Sequence, residues 1–495
     1  MIKVILVLFL LLTGCNSKTK IEDIINVQVS DNEILVDGIQ INSESENVYV
    51  ANDIIYYEEG KDFTYGEGTK EDEHSIEEAS NHQVIHITKA GTYQISGKLS
   101  YGQIAIDLGS DAKDDPKAVV TLILNGLDIN CEVAPAIIFY NVYECGDTDK
   151  ASKDVDTSKA GANVIIKDNT INNVNGSYVA KIYKEDSVVL NDTKTEVEDA
   201  KKLHKYDGAF YSKMSMNIDG EKENNGILNI NAKNEGLDSE LHLTINGGII
   251  NINSGNDGIN TNEDGISVTT INNGQLNIKV TGETGEGDGI DSNGWLVING
   301  GSVIAQACSF SGDAGIDSDM GIHINGGSVI ATGSMLDRIE EGSQTYAVFN
   351  FAQKMNNNQL VLKMNDEAII SLDQFNDYSI LVYSNSELKE GTYTLWCDDI
   401  QLEGSTDMMM GGRPNMPGGM QPPVGQEPPK DGFGGKNPND GERPDFDQKP
   451  DGNGEPFNQN NQNNGQPFNP NNLDLVKEFN IKKGSNMFSN LQTIK

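Results

Sequence analysis

Four short segments of this chain repeat one order of residue types, ending in Asp or Asn. They are Glu235-Gly236-Leu237-Asp238, Asp257-Gly258-Ile259-Asn260, Asp288-Gly289-Ile290-Asp291 and Ala314-Gly315-Ile316-Asp317. Strand alternation would turn the aliphatic residues inward. It would set Asp238 and Glu240, Asn260 and Asn262, Asp291 and Asn293, and Asp317 and Asp319 on one outer face. Asp257 and Asp288 fall in the turn just before that face, with Asp313 displaced by one residue. Between Glu235 and Asp319 there are thirteen Asp+Glu, one lysine (Lys279) and no arginine. Carboxylates stacked about 4.8 Å apart repel by roughly 3 kcal/mol at an effective dielectric of about 20. A hard cation relieves that repulsion, and clustered carboxylate, amide and carbonyl oxygens favour Ca²⁺. The candidate ligands are Asp238, Glu240, Asp257, Asp288, Asp291, Asp313, Asp317 and Asp319. The alternative is a solvated acidic face that keeps the chain soluble and blocks wrong stacking.

Such a face requires elements that recur in register. Asn-Gly recurs with its glycine at 226, 247, 274, 300 and 326, in steps of 21, 27, 26 and 26 residues. A strand-like run follows each time, as in Ile227-Leu228-Asn229-Ile230 and Val329-Ile330-Ala331. With the Asp-Gly-Ile segment and a third run ending near the next Asn-Gly, each period holds three short strands. That is one rung of a parallel β-helix, in which stacking closes a core that no rung closes alone. The expected fold class is therefore all-β. A leucine-rich repeat would need its leucine framework, and a propeller blade four strands and a longer period.

Charge and composition narrow the class of partner. The 495 residues carry 75 Asp+Glu against 36 Lys+Arg, a net −39. That excludes the basic face that nucleic acid or anionic headgroups require, and suits cations or partners that cations bridge. Lys3, the apolar run 4–12 and Leu12-Thr13-Gly14-Cys15 form a secretory signal whose end resembles the lipobox of bacterial lipoproteins, with Cys15 as the lipidated residue. The expected location is extracytoplasmic, anchored to the cell membrane by that lipid. After the signal (1–15), residues 16–83 read as a polar tether with short strands, and 84–404 as the β-helix. Residues 405–472 hold 12 Gly and 12 of the 14 Pro with no Ile or Leu, so disorder is expected there. The strand-like segment 473–495 is expected to return to the body, and 147–160 to form a surface loop. Cys131, Cys145, Cys308 and Cys397 either pair or stay as buried thiols. A monomer is expected.

The same residues carry a family resemblance. Asp207-Gly208-Ala209-Phe210-Tyr211-Ser212-Lys213, the Asp-Gly-Ile and Ile-Asn-Gly-Gly repeats, Ala90-Gly91-Thr92-Tyr93-Gln94-Ile95-Ser96-Gly97 and Leu122-Ile123-Leu124-Asn125-Gly126 resemble secreted carbohydrate-binding β-helix proteins related in fold to pectate lyases. The resemblance spans about residues 84–404 and rests on the order of the motifs. It implies a right-handed single-stranded β-helix with bound Ca²⁺, binding cellulose or acidic polysaccharides such as polygalacturonate, without established catalysis. The competing reading is a Ca²⁺-dependent uronate lyase, which needs a Lys or Arg to take the C5 proton. Lys233 and Lys279 are the lysines near enough in sequence, so binding without cleavage is the preferred reading. Trp295 alternates outward and is the candidate sugar-stacking platform. Trp396 reads as core, and His242 and His323 as solvated outward residues.

Overall fold

The computed structural model describes residues 24–405 and 475–493, apart from 147–149, 341, 343, 357–358 and 373–375. The signal segment, Cys15 and the Gly/Pro-rich stretch from 406 to 472 lie outside the described residues. The described residues are all-β, with one five-residue α-helix, Ile76–Ser80, held by a Ser75/Glu78 capping box, and two single-turn 3₁₀ helices.

Three parallel strand ladders make up the body. The first runs from Gln83–Ile87 through Gly102–Asp107, Ile137–Asn141, Gly208–Ser212, Glu235–Ser239 and Ile259–Thr261 to Ile290–Ser292. A bridge from Ile290 to Ile316 continues it. The second passes from Ala162–Ile166 through Met216–Gly220, Leu243–Ile245, Val268–Ile271 and Trp295–Ile298 to Gly321–Ile324. The third passes from Ile171–Gly176 through Ile227–Ala232, Ile249–Ser254, Gln275–Val280 and Ser302–Gln306 to Ser328–Gly333. Alternate residues enter a common core of aliphatic columns. Leu237, Ile259 and Ile290 are 0% exposed, and Leu228, Ile250, Leu276 and Val303 are buried on the third ladder.

Register corrects the Asn-Gly alignment. Ile227, Ile249, Gln275, Ser302 and Ser328 share one column, so the true steps are 22, 26, 27 and 26 residues. Asn272, not Asn273, therefore stacks with Asn246 and Asn299. Their amides bond coil to coil, 272 to 246, 299 to 272 and 325 to 299, each at 2.9 Å. A second amide column joins Asn173, Asn229, Asn251 and Asn277 at 2.8–2.9 Å.

Two boundaries also differ from expectation. Residues 24–83 are not a tether throughout. Ile24–Val29 pairs in parallel with Gly91–Leu99 and buries Val27 and Val29, because its alternation matches the open edge of that strand. The parallel ladders end at Gly333, short of 404. Ser328–Gly333 meets Tyr378–Asn385 antiparallel, and residues 346–405 form a largely antiparallel cap with a separate core around Phe349, Leu381 and Leu395. Ser485–Thr493 returns to that cap beside Tyr346–Met355 and Ile400–Ser405. The cap ends the stack by covering its last edge. Trp396 is not core: it lies half-buried in the cap, with Lys363 Nζ 4.3 Å above its ring. Cys131, Cys145 and Cys308 are free thiols, and Cys131, Cys308 and Cys397 are buried.

The glycines of the Asp-Gly-Ile segments form a closely stacked column. A Cβ on Gly258 would lie 2.5 Å from Gly289 O and 2.1 Å from Ile278 Cγ2, whereas one on Gly312 meets nothing within 4 Å. Gly258→Ala should therefore cost about 1–3 kcal/mol by forced displacement, and Gly312→Ala at most about 0.5 kcal/mol. Urea midpoints of the two variants check this, and equal midpoints would remove the close-stacking argument.

Candidate functional site

Each position of the Asp-Gly-Ile segment has a separate task on the first ladder. The acid before glycine caps the neighbouring coil. Asp257 Oδ1 accepts the Asp288 N–H at 2.6 Å, and Asp288 Oδ1 accepts the Ala314 N–H at 2.5 Å. Asp313, displaced by one residue, instead accepts the Gly287 N–H at 2.6 Å. Glycine lets the coils approach, the aliphatic residue fills the core, and the last residue faces outward. Register then stacks Tyr211, Asp238, Asn260 and Asp291 in one column.

Three carboxylates converge at the last coils. Asp288, Asp291 and Asp317 each offer an oxygen, and these lie within 4.8 Å of one another. Two oxygens on opposite sides of a Ca²⁺ ion are separated by about 5 Å. Asn260, one coil further back, and Glu235, two coils back, are buried, and Asp238 beside Glu235 is 0% exposed. Asn260 Nδ2 donates to Glu235 Oε1 at 3.0 Å, and Asn262 Nδ2 to Asp238 Oδ1 at 2.6 Å. The other oxygens, Glu235 Oε2, Asp238 Oδ2 and Asn260 Oδ1, are buried with no hydrogen-bond partner among the described residues. Buried acceptors without donors are costly, and a cation is the partner that an all-oxygen set fits.

The electrostatics follow from this crowding. Burial, then the neighbouring carboxylates, hold the carboxyl groups of Glu235, Asp238, Asp288 and Asp291 well above the usual range. Burial pushes Asp257 up to about 7, although the hydrogen bond from Asp288 opposes the shift. Glu240 is raised by burial while Lys205, 3.9 Å from its Oε2, and the Tyr211 hydroxyl at 2.8 Å favour its charged form.

The expected ligands do not all lie on one solvated face. Asp238 is enclosed, Glu240, Asp288, Asp291, Asp313 and Asp317 are half-buried, and Asp319 is exposed. The turns on either side of each short strand fold over its outer surface, which alternation alone does not reveal. Trp295 opens a strand of the second ladder, paired with Val268 and Gly321, rather than standing on the ladder that carries the carboxylates. His242 is not solvated: it is 2% exposed, its Nδ1 accepts the Val268 N–H at 3.1 Å, and burial lowers its pKa to about 4. Lys233 donates to Glu132 O at 3.4 Å, and Lys279 lies exposed on the third ladder.

Sequence proximity missed a basic group. Lys181, Lys202 and Lys205 surround the acidic start of the ladder and act against the burial that raises Asp207. Their sequence signal was Lys201-Lys202 and Lys205 directly ahead of Asp207-Gly208.

Comparison with known proteins places this chain in a family. The structure of the polysaccharide lyase-like protein from C. thermocellum, as its gadolinium derivative, is similar at a TM-score of 0.33 and 16% identity, over 61% of this chain and 83% of that one. No curated protein sequence matches the chain. The family model of the carbohydrate-binding domain-containing proteins matches residues 81–145 and 140–394, well over half of the sequence. The chain belongs to that carbohydrate-binding family.

Proposed function

We propose that this protein is a cell-surface lipoprotein that binds acidic polysaccharide through Ca²⁺ held on the first ladder, without cleaving the chain. In this reading the three ladders wind as a right-handed parallel β-helix with three strands to a coil. The observation that carries the proposal is the convergence of Asp288, Asp291 and Asp317 within 4.8 Å. Family membership supports a carbohydrate partner. The lipobox-like Leu12-Thr13-Gly14-Cys15 supports a lipid anchor at Cys15.

A chain of net charge −39 repels a polyuronate. A bound divalent ion reverses the local sign and keeps coordination positions for a uronate carboxylate. Asp288, Asp291 and Asp317 would hold it, while the Asp257 and Asp288 bonds to neighbouring backbone fix the coils that carry them. Asp238 and Glu235 fit a second ion two steps back along the ladder. Trp295 is left as a contact for glycan approaching from the second ladder.

One observation favours a lyase as the second reading. Lys205, three residues ahead of the strand Gly208–Ser212, has its Nζ 3.9 Å from Glu240 Oε2 and its side chain 46% exposed. It is a better-placed candidate base than Lys233 or Lys279. Steady release of unsaturated uronate from polygalacturonate, abolished by Lys205→Ala, would establish the lyase and end the non-catalytic reading. Retention of polygalacturonate that survives chelation would overturn the bridging role of the ion.

The raised carboxyl groups make the metal-free protein pH-sensitive. A folded-state pKa above the unfolded value contributes stability at low pH that is lost as pH rises through the folded value, here through about 7 for Asp257. In excess chelator, Tm should therefore fall between about pH 5 and about pH 8, and saturating Ca²⁺ should remove or reverse that slope. Calorimetry at both pH values checks this; melts indifferent to pH and Ca²⁺ would sink it.

Replacing Asp288 and Asp291 together by Asn should weaken Ca²⁺ binding by about tenfold or more. The same change at Asp398 and Asp399, exposed in the cap, should leave it unaltered. Isothermal titration of both variants decides whether the ladder face is special, since equal losses would show that it is not.

A further inference from the structure

Asn-Gly occurs at eight places among the described residues. The pair is prone to self-modification, because glycine puts no side chain between its own nitrogen and the asparagine carboxamide. The reaction needs that nitrogen to reach Asn Cγ in an attacking geometry, with both groups released from other bonds. Seven of the eight places hold one group or the other. Asn246, Asn299 and Asn325 are locked in the amide column of the second ladder. Asn175 Oδ1 accepts an N–H from the Asn231 side chain at 2.8 Å, and Asn225 Oδ1 accepts the Asn169 N–H at 2.8 Å. Asn293 Nδ2 donates to Asn262 O and Asp264 Oδ1. At Asn125 the attacking nitrogen is held instead, since the Gly126 N–H donates to Asn172 Oδ1 at 2.8 Å.

The eighth place is Asn273-Gly274, where strand register departs from the sequence pattern. Asn272 takes the column position and bonds Asn246 and Asn299, which leaves Asn273 outside the stack. Asn273 is exposed, and neither its carboxamide nor the Gly274 N–H has a hydrogen-bond partner among the described residues. The next links of the chain are committed. Gly274 O accepts the Ser302 N–H of the following coil at 2.9 Å, and the Gln275 N–H donates to Gly248 O of the preceding coil at 2.9 Å.

We propose that Asn273 is a site of spontaneous deamidation, whose isoaspartyl product loosens the coil stack. Gly274 N gives its proton to solvent base and attacks Asn273 Cγ. The bond from Cγ to the amide nitrogen breaks, ammonia leaves, and a five-membered succinimide forms. Water then opens one of the two ring carbonyls, with nothing oxidised or reduced. Opening at the side-chain carbonyl gives an ordinary aspartyl residue. Opening at the main-chain carbonyl gives an isoaspartyl residue, whose backbone is one methylene longer. That length enters directly ahead of Gly274 O and Gln275 N, the two groups that tie this coil to its neighbours. The change runs one way, so it accumulates with the age of each molecule.

The test is incubation of the full chain in mildly alkaline buffer, folded and in denaturant, followed by peptide mapping with isoaspartyl detection. In the folded chain Asn273 should convert faster than Asn246, Asn299 or Asn325 by about tenfold or more. In denaturant the four rates should come together. Aged protein enriched in the isoaspartyl form should melt below fresh protein. Asn273→Asp, which carries the charge without the extra methylene, should melt with the fresh parent. Asn273→Gln should abolish both the conversion and the fall in Tm on ageing. Equal rates at the four asparagines of the folded chain, or an Asn273 that stays intact, overturn the site. Conversion with an unchanged melt, or a fall in Tm that Asn273→Gln still shows, overturns its effect on the stack.

Discussion

Like charge stacked at strand spacing, on a surface partly closed to water, is the constraint around which this protein is built. A parallel ladder repeats whatever residue type it carries about every 4.8 Å, and the first ladder repeats carboxylates. In open water such a column would be tolerable. Here the turns fold over it, so that Asp238 and Glu235 lose solvent while their neighbours keep the same sign. The protein answers in part with neutral donors: Asn260 and Asn262 lie between the acids and donate to Glu235 and Asp238. Glu235 Oε2 and Asp238 Oδ2 remain without donors among the described residues.

The ladders divide the work of holding coils together. On the first, charged oxygens cap the backbone of the adjacent coil, as Asp257 does for Asp288 and Asp288 for Ala314. Such bonds are stronger than neutral ones and position the acids while they stabilise the stack. On the second and third ladders the same task falls to neutral amide columns. The glycines stacked at the first turn permit the close approach that both arrangements need. Function and stability are therefore not separable on the first ladder, where each capping acid is also a candidate ligand.

How much was legible depended on whether a feature repeats. The Asp-Gly-Ile segments announced their own register, since Leu237, Ile259 and Ile290 align in space as they do by eye. Asn-Gly misled by one residue at Asn272-Asn273-Gly274, where two adjacent asparagines fit the pattern and only strand pairing chooses between them. Residues 24–83 looked like a tether because their strands are short and polar on one side. The parallel partner of Ile24–Val29 lies more than sixty residues downstream, beyond any local pattern. His242 looked outward by alternation, yet the backbone of the next coil covers it. The lysines at 181, 202 and 205 lay outside the repeat and were passed over, although an insertion that leaves a repeat array must fold back onto some face of it.

The sequence by itself determined the all-β class, the recurrence of the Asp-Gly-Ile segments, the acid-bearing ladder and the excess of negative charge. Each follows from local residue type and periodicity, which the chain carries wherever it folds. Tertiary structure alone decided which acids lose water, which carboxylates meet, and which basic side chains approach them. It also decided that the segment 153–158 walls a groove over the second ladder. Those outcomes depend on turns and excursions of irregular length, whose path is set by packing against distant coils and not by the residues within them.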